Sequence, residues 1–272
     1  MLKTIRIVHS LQYRVTEVYD MQKLISFLPV LGLILSTLIY SFAESDQGSL
    51  AVGDIVEFGH YEQDADLNDG PEAIKWLVLD VQENLVLLLS QYGLACKPYH
   101  EKMESVRWQS CSLRTWLNDE FFLAAFSESE QDAILLSEID NSPKQAGEYS
   151  SYVQARNTED RVFLLSGAEF EAIPAKYGTT NKYKIKGIFS HFSPTEYALQ
   201  HDNPHFSKNS YYWWLRGVTV DNINASTMKT DEKAQCVNRG SASAAADVIG
   251  CFGVHPVVWV DIDIMADSAK NT

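Results

Sequence analysis

The chain has 272 residues, of which 22 are basic and 36 acidic, for a formal charge of −14. Hydrophobic residues make up 46% and charged residues 21%, a globular composition that excludes a chain disordered throughout. The acidic balance argues against nucleic acid and against anionic lipid headgroups as partners, since both require a basic face.

In chain order, the first feature is LISFLPVLGLILSTLIYSFA, residues 24–43, which contains no charged residue. A basic Lys23 precedes it, and Ser41-Phe42-Ala43 places small residues where a signal peptidase would cut. Residues 21–43 are therefore expected to act as a signal peptide, with Met21 the physiological start and residues 1–20 an upstream leader. Twenty apolar residues also suffice to span a bilayer, so an uncleaved anchor is the alternative. In either case the remaining chain is expected outside the cytoplasm, secreted or on the cell surface, touching membrane only through residues 24–43. Removing residues 1–43 takes away four of the 22 basic and two of the 36 acidic residues, leaving −16 over 229 residues. Such a charge favours solubility and repels acidic polymers.

Val52–Phe58 alternates as a half-buried strand does. Asp64–Pro71 is an acidic turn; it lacks the spacing and terminal Glu of a calcium-binding loop, and a solvated loop is expected. Ile74–Val81 and Asn84–Ser90 read as a hairpin turning at Gln82-Glu83-Asn84, with Leu85–Leu89 apolar on both faces and hence deep in the core. Ser112 can cap a helix carrying Leu113, Trp116, Leu117 and Phe121, and Ser127–Glu130 is a capping-box pattern for a helix through Leu136. Residues 140–160 are polar and aperiodic, a long surface loop. Arg161–Leu165 reads as a strand, with Ser166 capping a short helix after it; residues 174–192 are loop-like, and Pro194–Leu199 suits another short helix. Tyr211–Arg216 and Val254–Ile262 read as strands, separated by the small, polar stretch 221–250. Strands and helices do not alternate as in parallel α/β proteins, so the fold class is α+β: one compact, loop-rich domain over residues 50–264, with a polar tail at 265–272.

Four cysteines lie beyond position 43: Cys96, Cys111, Cys236 and Cys251. Four cysteines allow three full pairings. The local pairs Cys96–Cys111 and Cys236–Cys251 are favoured, and each closure is worth about 3 kcal/mol in a chain-entropy account. Four buried thiols are the alternative. No C-x-x-C occurs, which argues against a zinc knuckle or a thioredoxin-type site.

The segments VGDIVEFGHYEQD (52–64), IKWLVLDVQENLVLLLSQYGLACKPYH (74–100), WQSCSLRTWLNDEFFLAAFSESEQDAI (108–134), RVFLLS (161–166), YYWWLRG (211–217) and GVHPVVWVDI (253–262) follow one another in an order that resembles the bacterial family called domain of unknown function 6273. That family resembles in turn the C-type-lectin-like fold of formylglycine-generating enzymes, where a late W-L-R strand and a final G-V-R-P strand pack beneath a loop-rich binding face. The resemblance implies a domain used at cell surfaces and no established activity. In the positions where family members continue WWLRS-P-G and G-V-R-P, this chain has Gly217-Val218 and Gly253-Val254-His255-Pro256. If the family Arg anchors a carboxylate or ligand, His255 would make that contact pH-dependent.

Alternation on the late strand puts Tyr211, Trp213 and Leu215 on one face and Tyr212, Trp214 and Arg216 on the other. Tyr212, Trp214, Arg216 and His255 are accordingly the candidate ligand-binding residues, their rings stacking on a sugar or peptide. The competing reading makes both faces core, with Arg216 satisfying a buried carboxylate. His201 and His205 have helical zinc spacing, but Asn203-Pro204 between them opposes a helix, and His60 and His191 have no partner in sequence; no metal site is expected. Asp221, Asp231, Glu232 and Asp247 could supply an acid/base pair, with solvated surface the default. Asn224-Ala225-Ser226 is a glycosylation sequon. No nucleophile-elbow, phosphate-loop or zinc-protease motif occurs, and no cofactor is expected. The function expected is an exported, non-enzymatic recognition module for a peptide, glycan or envelope partner. The alternative is a cell-envelope enzyme using Cys236 and Cys251 as reactive thiols.

Overall fold

Residues 50–146, 155–176, 192–200, 206–207, 210–221, 231–238, 241–246 and 249–268 are described by this computed structural model. Residues 21–43, expected to direct export, lie outside them, as do His191, His201, His205 and Asn224, and the side chains of Asp221, Asp231, Glu232 and Asp247 are likewise not described. Among the described residues no helix is long and apolar enough to cross a membrane.

The hairpin expected from alternation forms the middle of an antiparallel sheet. Strands β2 (Glu72–Gln82) and β3 (Leu85–Ser90) pair across a turn in which Glu83 takes a positive φ of 53°. β1 (Ile55–Tyr61) flanks β2, and the late strand β12 (Val257–Asp261) flanks β3, giving the order β1-β2-β3-β12. Val86, Leu88 and Leu89 are buried, as an apolar strand covered on both sides should be. The register of β1 slips between Glu57 and His60. Gly59 sits in that bulge at φ +69°, where an added Cβ would fall 2.6 Å from the Phe126 ring. Only glycine fits so close to the ring in that backbone conformation.

A second sheet runs in the order β10-β9-β8-β11-β4, from β10 (Ser241–Ala246), β9 (Asp231–Asn238) and β8 (Ser210–Asp221) to β11 (Cys251–Val254) and β4 (Ala95–Pro98). β7 (Phe206–Ser207) pairs with β8, and the β8–β11 contact is parallel, with Gly253 opposite Trp213. The small, polar stretch 221–250 therefore contains two paired strands. The strand expected over Val254–Ile262 is broken at His255-Pro256, where the chain leaves the second sheet and enters the first. Residues 90–95 make the same transit beside it: Ser90 N–H donates to Pro256 O at 3.0 Å and Leu94 N–H to Val254 O at 3.0 Å. A third, two-stranded sheet joins β5 (Ser137–Ile139) to β6 (Thr158–Asp160), so the 140–160 segment ends in a strand.

Helix α1 (Ser112–Trp116) continues through a π turn at Leu117–Phe121 into Phe122–Ala125. Its cap is Cys111, whose sulfur accepts from Arg114 N–H, one residue before the expected Ser112. At the start of the π turn Asn118 Nδ2 donates to the Arg114 carbonyl. Helix α2 (Glu128–Ala133) opens with the complete Ser127/Glu130 capping box. It stops short of Leu136 because Ile134 turns extended and bridges Val260, while Leu135 N–H donates to Trp259 O. Sheet pairing outcompetes helix propensity there. Helices α3 (Gly167–Lys176), α4 (Glu196–Leu199, capped by Thr195) and α5 (Ile262–Ser268) complete a mixed helix-and-sheet molecule, in keeping with the α+β class. Arg161–Leu165, expected as a strand, makes only a single bridge at Phe163↔Val257 but is buried from Val162 onward.

Candidate functional site

From Trp213 to Val218 the late strand β8 is buried on both of its faces. Trp213 packs on Phe170, Phe192 and His255, while Trp214 packs on Tyr99 and Phe252 and donates its indole N–H to Lys97 O at 2.7 Å. Tyr212, half-buried, stacks on Phe252. Arg216 is 1% exposed. Its guanidinium is held by both carboxylate oxygens of Glu169, by the carbonyls of Leu164 and Asp140, and by Asn141 Oδ1. This is the core arrangement, in which Arg216 satisfies a carboxylate.

Glu169 does two jobs. With Ser166 it forms a reciprocal cap for α3, accepting from Ser166 N–H while its own N–H donates to Ser166 Oγ. Burial pushes its carboxyl upward, but the charge and hydrogen bonds of Arg216, with those of Ser166, outweigh this and leave it below the ordinary range. The network continues inward. Asn141 Nδ2 lies 3.4 Å from Thr158 Oγ1, Thr158 donates to Asp160 Oδ2 at 2.7 Å, and Asp160 receives Trp108 Nε1 at 2.9 Å and Arg114 Nε at 2.6 Å. Two ion pairs, Arg216–Glu169 and Arg114–Asp160, are thus linked through neutral side chains. Asn118 adds a clamp, accepting from the N–H groups of Arg161 and Val162 and donating to Val162 O.

His255 is fully buried at the crossing between the sheets, its Nδ1 2.9 Å from Ser90 O and its ring against Trp213 and Phe192. Desolvation drives its pKa down to about 4, with the Ser90 contact opposing only in part. The pH-dependent contact expected near neutrality is replaced by an imidazole that stays neutral there. The structure thus brings Trp214, Arg216 and His255 into the core around β8 and does not gather them on an open surface.

The cysteine pairing also differs from expectation. Cys96 is bonded to Cys251, across the β4–β11 pair where Gly253 faces Cys96, instead of to Cys111; the local pair Cys236–Cys251 is accordingly excluded. Residues 155 apart in sequence meet because the topology lays β11 beside β4. Cys111 is a buried free thiol whose pKa is raised by burial to about 12. The side chain of Cys236 is not described.

An open groove lies elsewhere, with a volume of about 730 Å³, lined by Ser105, Arg107, Gln109, Ser110, Ala155, Arg156 and Asn157. One wall is a single 3-10 turn, Trp108–Ser110, anchored from behind by the buried Trp108–Asp160 bond. The other leads into β6. Gln109 Oε1 joins the walls by accepting Arg156 N–H at 3.2 Å, and Asn157 is fixed by Asn141 N–H and Glu138. These residues were missed because they carry no motif and their segments, 105–110 and 155–157, are adjacent only in the fold. The acidic turn, by contrast, brings carboxylates of Glu62, Asp64 and Glu72 within 4.8 Å of one another, but Ala65 and Gln63 amides already occupy Glu62 and Glu72. His60 is exposed.

A family model described as domain of unknown function (DUF6273) matches residues 83–262, about two thirds of the chain. The matched span includes both linked ion pairs, the sheet crossing and the whole groove. No curated protein and no solved structure matches.

Proposed function

The chain belongs to that family, and from this premise we propose that residues 50–264 are an exported, non-enzymatic recognition module on a C-type-lectin-like scaffold. Its ligand face is the groove between residues 105–110 and 155–157. The observation that carries the reading is the groove itself: six polar side chains and Ala155 around about 730 Å³, a volume suited to a small ligand. Binding loops work best when a rigid frame positions them, and here the frame is the Trp108–Asp160–Arg114 cluster. A Cys96–Cys251 disulfide suits an oxidising compartment, which supports residues 21–43 as an export signal and a secreted or surface location. Cys251 being bonded and the Cys111 thiol being held protonated favour recognition over thiol chemistry.

Screening the full chain, disulfide intact, against glycan and peptide arrays tests this. Saturable binding that Q109A and S110A weaken at least tenfold, with near-ultraviolet dichroism unchanged, is the expected result. Turnover of an arrayed compound, or binding untouched by both substitutions, overturns it.

A further inference from the structure

We propose that the groove holds a sugar bearing a single carboxylate, and that Arg156 grips that carboxylate; the inference rests on the groove being the ligand face. Three features of the lining lead there. First, among the described residues its charged members are Arg107 and Arg156, with no carboxylate, in a chain whose net charge is −14. Second, Arg156 is exposed and all its hydrogen bonds are made by its backbone: its N–H to Gln109 Oε1 and its carbonyl to Asn141 Nδ2. Its main chain is therefore fixed on both sides, while its guanidinium has no hydrogen-bond or ion-pair partner among the described residues. A planar fork of donors set on a rigid base matches a carboxylate in two-pronged fashion. Gln109 adds a second donor, because its Oε1 is committed to Arg156 while its Nε2 is unpartnered among the described residues.

Third, among the described residues the lining contains only one apolar residue, Ala155. A peptide ligand draws most of its affinity from apolar anchors in pockets, which this groove does not offer. A ligand rich in hydroxyls matches the Gln109 Nε2 donor and the hydroxyls of Ser105 and Ser110. The overall negative charge selects further. A polyanion is repelled by the whole molecule, whereas a lone carboxylate within a few ångströms of Arg156 feels that cation far more than charges beyond the screening length of about 8 Å. One acid group on an otherwise neutral sugar satisfies both conditions.

The test is calorimetric titration of the full, disulfide-bonded chain with four probes: a glucuronic-acid-terminated disaccharide, its glucose-terminated counterpart, a Glu-containing tripeptide and polygalacturonate. The acidic disaccharide should bind at least tenfold more tightly than the neutral one. R156A should remove that difference, R156K should keep part of it, and raised salt should weaken the acidic ligand only. Equal binding of the two disaccharides, or no loss in R156A while Q109A still weakens both, overturns the carboxylate contact and leaves the groove as ligand face. Tighter binding of the tripeptide or of polygalacturonate overturns the sugar or the single charge, respectively. No binding of any probe together with silence on the arrays removes both readings.

Discussion

Arg216 and His255 are two buried nitrogenous side chains set into neighbouring parts of the same core, and the molecule treats them in opposite ways. Around Arg216 the fold brings a carboxylate, two carbonyls and an amide oxygen, so the charge is kept and satisfied. Around His255 its partners include the Trp213 and Phe192 rings and the Ser90 carbonyl, and desolvation refuses the charge. Burial alone therefore does not say whether a polar group is ionised; a carboxylate that offsets the desolvation decides it for Arg216. Both positions were also plausible ligand contacts on chemistry alone, and both are occupied by the protein itself.

The contrast can be broken most severely at Glu169. E169A leaves a fully buried guanidinium without its counter-ion and takes away the acceptor of the Ser166 N–H, and it should cost about 4 kcal/mol in urea unfolding. E169Q, which keeps an acceptor and the shape, should cost less. A loss below about 1 kcal/mol for E169A would mean that the ion pair is not what holds the network.

The opposite environment is tested by acid. The folded pKa of His255, about 4, lies below the ordinary value near 6.5, so between those pH values the unfolded chain binds the proton and the folded one does not. Stability from this group is full above about pH 6.5 and falls as pH drops toward 4, by about 3 kcal/mol in all. H255Q should remove that part of the slope. Glu169, held below its normal range, loses its contribution at lower pH still, so the two regions separate along one acid titration.

A neutral clamp sharpens the comparison. N118A strands two amide N–H groups and one carbonyl in the Arg161–Val162 segment, at about 2 kcal/mol and without pH dependence. The smallest effect is expected in the groove. R156A should change unfolding stability by no more than about 0.5 kcal/mol, because its side chain supports nothing in the fold. A larger loss would identify Arg156 as scaffold.

What could be read from the chain alone divides along the same line, between local and distant causes. The β2–β3 hairpin and the Ser127 and Ser166 caps are written within a few residues, and they form as expected. The end of α2 was not legible, because Val260, far along the chain, takes Ile134 out of the helix. Strands β9 and β10 were hidden because Ser241–Ala246 is nearly all small residues, without the branched or aromatic side chains that mark a strand. The Arg216 carboxylate was anticipated as a type, though nothing identified Glu169 as the residue. The cysteine pairing failed because loop-closure cost favours near neighbours, whereas the topology brings together Cys96 and Cys251. The groove depends on segments about 50 positions apart in sequence, held together by the Gln109–Arg156 bond.

The insertion of β11 between β8 and β4 bears on how such a protein is made. A ribosome must pass Val254 before the strand that bridges these two partners exists, so the second sheet closes only late in synthesis. A chain threaded through a translocation channel would emerge with that seam still open, and final locking would wait for its C-terminal end to arrive. Nascent molecules interrupted before Cys251 would consequently be easy prey for quality-control proteases, however complete their first hairpin.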